Sequence, residues 1–203
     1  MKKIDYKKEL KHLYVASAKK VVSVTVPKMN YLMVSGEGEP GSQSFKEAIE
    51  TLYPVAYTLK FMVKKGEMKK DYGVLPLEGL WWADDMDSFI TNKKEDWKWT
   101  LMIMQPEFIT KKMVKEAVEQ VKSKKNPVAL PLLKFKSFNE GKVAQITHIG
   151  PFAEEGPTVE KVHLFIKESG FQRKGKHHEI YLSDFRRTAP ERLKTIIRQP
   201  MGK

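Results

Sequence analysis

A chain of 203 residues with 41% hydrophobic and 10% aromatic content has enough apolar mass for a packed core and too much for a disordered segment. It has no cysteine, which excludes disulfides, thiolate nucleophiles and cysteine-bound metals. No apolar run is long enough to span a bilayer, the opening "MKKIDYKKELKHLYVASAKK" lacks a signal-peptide core, and the formal charge of +12 is spread along the chain without a nucleic-acid-binding motif. These features predict a soluble cytoplasmic protein with a solvated basic surface, no membrane partner and no specific nucleic-acid partner.

In chain order, "VVSVTVPKMNYLMVSGEG" holds two β-rich runs joined by a turn around Pro27 to Asn30, which predicts a hairpin. After "PGSQS", Phe45, Ile49, Leu52 and Tyr53 recur at helical spacing, with Pro54 expected to disturb the helix between Tyr53 and Tyr57. The runs "YGVLPLEGLWW" and "WKWTLMIMQ" read as strands on either side of the polar loop "ADDMDSFITNKKED". An amphipathic helix follows in "TKKMVKEAVEQVKSKK", with Met113, Val114, Ala117, Val118 and Val121 on one side. A second predicted hairpin, "LLKFKSFNEGKVAQITHIGP", turns at "NEG". Then comes a helix carrying Val159, Val162, Leu164, Phe165 and Ile166, closed at Gly170. The strands "HHEIYLSDF" and "LKTIIRQPM" end the chain.

This internal echo predicts an α+β fold made of two β-β-α-β-β units in a single domain over 1–203. One pseudo-repeat spans about 20–105, a connecting helix about 110–125 and the second pseudo-repeat about 130–203. The two units are expected to fuse into a pseudo-symmetric antiparallel sheet, with helices on one face and a ligand groove on the other.

Several motifs do not support the chemistry they suggest. "GEGEPG" (Gly36 to Gly41) matches a dinucleotide loop, but Glu37 and Glu39 would oppose a pyrophosphate and the neighbouring hairpins imply an antiparallel sheet. In "KHHE", strand alternation lets only His177 and Glu179 converge, and no other histidine has ligand spacing, so no metal or other cofactor is expected. Ser183 and Asp184 near His178 look like a strand end, and no nucleophile elbow is present.

The aromatic residues carry more weight. Trp81 and Trp82 close one strand, Trp97 and Trp99 open another, and Tyr53 and Tyr57 lie one helical turn apart. Each alone fits a core, whereas four tryptophans bunched together also suit a pocket that grips a planar aromatic or cationic ligand. In "GKHHEIYLSDF", Glu179 shares a strand face with His177 and Tyr181. Either that face is wet or Glu179 looks into such a pocket, where poor hydration would strengthen its pull on a cation or a water proton. Glu78 in "LPLEGLWW" is a second candidate, beside a glycine that suggests a bend.

The run from "VAQITHIGP" through "LFIKESG" and "HEIYLSD" to "RQPM" resembles the second half of GyrI-like small-molecule-binding domains, and the first half follows the same order of elements. The resemblance implies SHS2-like repeats around a central ligand groove, with Glu179 contacting the ligand and Tyr181 beside it. It points to the stand-alone branch, some members of which are cyclopropanoid cyclopropyl hydrolases that open the strained ring of DNA-alkylating compounds. On that analogy Glu179 would deprotonate a water, and Tyr181 or Tyr57 would donate to the developing phenolate. Tyr53, Trp81, Trp82, Trp97, Trp99, Glu78 and His177 would line the substrate site. The alternatives are a non-catalytic binder of hydrophobic or cationic drugs and a module that docks on a protein partner, as some of these proteins do on gyrase.

Overall fold

The computed structural model describes residues 3–84 and 94–203, so most of the predicted polar loop lies outside the described residues. In chain order the elements are β1 (Lys3–Ile4), α1 (Tyr6–Glu9), α2 (Lys11–Tyr14), β2 (Val22–Val26), β3 (Met29–Glu37), α3 (Gln43–Lys65), β4 (Asp71–Tyr72) and β5 (Leu77–Trp82). They continue with β6 (Lys98–Gln105), α4 (Lys111–Lys124), β7 (Lys134–Phe138), β8 (Gly141–Ile149), α5 (Gly156–Glu168), β9 (Gln172–Arg173), β10 (His177–Tyr181) and β11 (Lys194–Gly202). The architecture is mixed α+β with antiparallel sheet. Two compact units interleave along the sequence: Met1–Tyr6, Met29–Leu75 and Trp82–Phe138 form the first, and Lys7–Lys28, Pro76–Trp81 and Asn139–Lys203 the second. Among the described residues, no helix is long and apolar enough to cross a membrane.

In the first unit β3 pairs antiparallel with β6 on one side and β7 on the other. The long helix α3 packs on β3 and β6, and α4 packs on α3. Ser42 caps α3 by accepting from the Phe45 amide, and Thr110 caps α4 in the same way through Met113. Contrary to expectation, α3 runs unbroken through Pro54. Phe45, Ala48, Ile49, Leu52, Val55, Ala56, Leu59 and Val63 are all buried along one stripe of the helix. Each large apolar residue there contributes about 1.5–3 kcal/mol, and together they outweigh the roughly 3 kcal/mol of an interior proline.

The second unit is an antiparallel sheet in the order β2-β8-β11-β10-β5. Helix α5 lies on β8 and β11, where Val162 and Ile166 meet Ala144, Ile146, Ile197 and Met201.

The strands fall where the sequence pattern puts them, but neither predicted hairpin pairs with itself. β2 pairs with β8, and β3 pairs with β7. The physical reason lies in the junctions. A two-residue hairpin turn needs positive φ at one or both central positions. Pro27, in the Pro27–Lys28 junction, is locked near −65°. In the other junction Asn139 and Glu140 are not among the residues with positive φ; Gly141 is, at +76°.

The expectation that helices would cover one face and leave the other to the site also needs correction. Directly paired residues of antiparallel strands point to the same side. Glu179 pairs with Ile197, which pairs with Ile146, and both isoleucines pack against α5. His177, Glu179 and Tyr181 therefore lie on the helix-bearing face of the second unit.

The opposite face carries a buried charge network. His178 sits between two carboxylates, with Nδ1 2.8 Å from Glu140 Oε1 and Nε2 3.0 Å from Glu78 Oε2. Arg198 donates to Glu140 at 3.2 Å, to Gln145 at 3.0 Å and to the Leu13 carbonyl at 2.7 Å. Tyr14 donates to Glu78 at 2.7 Å, and Gln145 donates to the His12 carbonyl at 3.0 Å, so the α2 segment is tied to the sheet. Burial alone would strip the proton from His178, but Glu140 and Glu78 override it and push its pKa up to about 9. Burial likewise works against an ionised Glu140, and His178 and Arg198 reverse it, leaving its carboxyl below the usual value.

Replacing His178 by leucine would leave two buried carboxylates without their shared cation. We expect His178→Leu to lose about 3–5 kcal/mol in urea unfolding. A loss under about 1 kcal/mol would contradict the network's role.

Candidate functional site

The site grows from the alternation of β10. With His178 and Ile180 buried on one face, His177, Glu179 and Tyr181 share the other. On the neighbouring strand β5, Trp81 pairs with His177, Gly79 with Glu179 and Leu77 with Tyr181. Gly79 thus places no side chain directly beside the carboxylate, and β5 continues in register through it without the expected bend. A chain of donors ends on Glu179. The Trp81 indole N–H donates to the Tyr181 hydroxyl at 3.1 Å, and Tyr181 donates in turn to Glu179 Oε2 at 2.7 Å. His177 Nε2 lies 3.2 Å from Glu179 Oε1, where the Nε2–H tautomer donates to the carboxylate. Burial first and the Glu179 charge second hold the Tyr181 phenol protonated, well above its usual pKa.

Glu155 completes the group and was not marked as functional by its sequence. It stands at the start of α5 and is only 7% exposed. Burial, followed by the charge of Glu179, pushes its pKa up to about 9, and the nearby Thr195 hydroxyl offsets only part of this. Neither Glu155 Oε1 nor Thr195 Oγ1 has a partner in hydrogen-bond geometry. Thr195 pairs with Tyr181 on β11 and so faces the same side. One carboxyl is thus furnished with donors, while its neighbour is kept neutral. This difference is what a base and an acid need to work together near pH 7.

Two aromatic residues also went unmarked. Phe152, 41% exposed, meets the Tyr181 ring edge-on at 5.8 Å. Phe185, 37% exposed, meets Phe152 edge-on at 6.3 Å. Exposed apolar rings contiguous with a partly buried carboxylate form a surface on which a flat ligand could stack. In the sequence these two phenylalanines stand singly, outside the tryptophan-rich stretch.

Of the residues expected at the site, Glu179, Tyr181, His177 and Trp81 come together in the second unit. Glu78 belongs to that unit too, but it is fully buried on the far face, held by Tyr14 and His178. Trp82, Trp97, Trp99, Tyr53 and Tyr57 belong to the first unit. There Trp99 is a core residue, 1% exposed, with Phe45 edge-on at 5.4 Å and its indole lying where a side chain on Gly36 would have to go. It presents no open face to a ligand. Tyr53 and Tyr57 lie 6.3 Å apart on α3, and Tyr57 is 47% exposed. Trp82 and Trp97 are half-buried. Among the described residues, no group of three or more histidine or acidic side chains is placed to hold a metal.

The model of the GyrI-like small molecule binding domain matches residues 19–201. The chain belongs to the GyrI-like family. A hydrolase from Listeria innocua is 39% identical to this GyrI-like chain, with a TM-score of 0.86 over 98% of this chain and 100% of its own. A conserved protein from the same organism is 40% identical, with a TM-score of 0.90 and the same coverage. The EcmrR C-terminal domain shares the fold alone, at 12% identity and a TM-score of 0.57 over 91% of this chain and 98% of its own. No curated protein matches the sequence.

The state of Glu155 has a measurable signature. Its folded pKa lies above that of the unfolded chain, so between about 4.5 and 9 the folded protein holds an extra proton there and loses stability as pH rises. Glu155→Gln lacks that proton release. Relative to the parent, it should gain about 2 kcal/mol or more in urea unfolding between pH 5 and pH 8.5. A parallel pH dependence in the two proteins would show that Glu155 is not held neutral.

Proposed function

We propose that this GyrI-like protein is a hydrolase that opens the cyclopropane ring of planar, DNA-alkylating cyclopropanoid compounds and so detoxifies them. The observation that carries the reading is the Glu179 carboxylate, fixed by Tyr181 and His177 beside the exposed rings of Phe152 and Phe185. A flat electrophile resting on those rings brings its ring carbon towards Glu179. The carboxylate takes a proton from a water as the water oxygen bonds to that carbon, and the strained carbon–carbon bond breaks. The released electron pair is delocalised through the conjugated system to the carbonyl oxygen, which becomes a phenolate. The substrate supplies its own activation through strain, so a positioned base accounts for most of what the protein adds. The likeness to a Listeria innocua hydrolase supports a hydrolytic role.

In this reading Tyr181 is a positioning residue, because its proton is already committed to Glu179. The Trp81 N–H fixes the phenol in turn. A ligand-binding protein without turnover would use the same surface, and the two differ in stoichiometry. With protein limiting, repeated loss of the alkylator's absorbance supports hydrolysis, whereas a single equivalent of stable complex reduces the role to binding.

Glu179→Gln should keep the unfolding profile and ligand binding while lowering turnover about 100-fold or more. Turnover at the parental rate in this variant would refute the assignment of Glu179 as the base.

A further inference from the structure

We infer that Glu155 and Glu179 form an acid–base pair fitted to hydrolyse aryl epoxides, a second class of strained alkylating agent. The inference rests on the reading of Glu179 as base and extends it to a different leaving group. In a cyclopropane opening the departing electrons travel to an oxygen several bonds away, so that reaction has no use for an acid at the reacting centre. Yet Glu155 follows the turn whose Phe152 ring meets Tyr181, and it lies near enough to Glu179 for the two charges to interact. Glu155 is 7% exposed, Thr195 is 1% exposed, and Glu155 Oε1 and Thr195 Oγ1 are buried without partners on the face that carries Glu179 and Tyr181. The Thr195 hydroxyl lies near enough to Glu155 to ease its ionisation, yet neither oxygen has a partner in good hydrogen-bond geometry, and buried groups left so poorly matched point to a polar atom of a ligand.

An epoxide supplies that atom. Its leaving oxygen is bonded directly to the carbon under attack and departs poorly as an alkoxide unless a proton is delivered. Water gives one proton to the Glu179 carboxylate as its oxygen bonds to the benzylic carbon. The ring carbon–oxygen bond breaks towards oxygen, and that oxygen takes the Glu155 proton. The product is a vicinal diol, and the proton gained by Glu179 restores Glu155 directly or through solvent. No oxidant or second substrate enters. An aryl group fits the surroundings, because Phe152 is carried by the turn that leads into Glu155, and it meets both Phe185 and Tyr181. The benzylic carbon, which gains positive charge as the ring opens, would sit next to the Glu179 carboxylate.

The test pairs styrene oxide with a cyclopropane-bearing alkylator, using the full chain, Glu155→Gln and Glu179→Gln. Diol formation is followed in ¹⁸O-labelled water. The parent should form labelled diol at least about 100-fold faster than buffer, and Glu179→Gln should lose that activity. Glu155→Gln should lower diol formation about 100-fold and cyclopropane opening by at least about tenfold less, while still unfolding cooperatively. In the parent, diol formation should fall on the alkaline side as Glu155 loses its proton near pH 9. Cyclopropane turnover without diol formation overturns this inference and leaves the earlier reading standing. Diol formation without cyclopropane turnover does the reverse, and failure of both reactions removes both. Equal losses on the two substrates in Glu155→Gln, or a rate flat to about pH 10 in the parent, overturn the acid role.

Discussion

The register of β10 depends on His178. Side chains on a strand alternate, so a slip of one residue would drive Glu179 into the buried face that holds Glu78 and Glu140 and turn His178 towards the site. Glu140 and Glu78 clamp the imidazole through both ring nitrogens, and Arg198 closes the network through Glu140. Two acids and two cations balance in charge, and their side chains are almost wholly buried. Such groups add little net stability over an apolar core, because desolvation consumes most of the attraction. They do make a wrong register expensive, since any slip leaves a buried charge unmatched. The network also reaches Leu13 and Tyr14, so the N-terminal segment is fixed by the groups that fix the strand.

The two faces of β10 use ionisable groups in opposite ways. On the far face every charged group has a counter-charge and both histidine nitrogens are engaged. On the site face Glu179 is held by Tyr181 and His177, whereas burial and the repulsion of its neighbour act on Glu155 and the Thr195 hydroxyl offsets only part of them. Complete pairing gives rigidity; incomplete pairing gives a proton that can be moved. The unmatched oxygens of Glu155 and Thr195 are a local loss of stability, and functional sites are where such losses are expected.

The alternation in "HHEIY" was enough to bring His177, Glu179 and Tyr181 to one face, because period-two patterning is a local property. The helical stripes of α3, α4 and α5 were legible for the same reason, except that Leu164, read into the α5 stripe, is 54% exposed. Partner choice was not. Val22–Val26 and Met29–Glu37 look like the arms of a hairpin, and only the missing turn geometry at Pro27–Lys28 argues otherwise. Glu155 was invisible as an acid because "EEGPT" reads as a helix start, and the neighbour that changes its chemistry lies on a strand much further along the chain. Trp81 and Trp99 shared one motif in the sequence but have different roles, since one indole donates to Tyr181 while the other packs on Gly36 and Phe45.

In the proposed reading the base stands on a strand instead of a loop, and this has a consequence for selectivity. β10 is fixed from both sides by its antiparallel ladders to β5 and β11, and the Glu179 carboxylate is held by Tyr181 and His177. The rings it works beside come from less regular segments: Phe152 from a short turn after β8, and Phe185 from the stretch after β10. Chemistry on a rigid element with recognition on adjustable ones lets the apolar surface vary while the reacting group stays in place. If Glu179 is the base proposed above, a site arranged this way would discriminate weakly among flat bodies and strongly for a reacting carbon that can reach one fixed carboxylate.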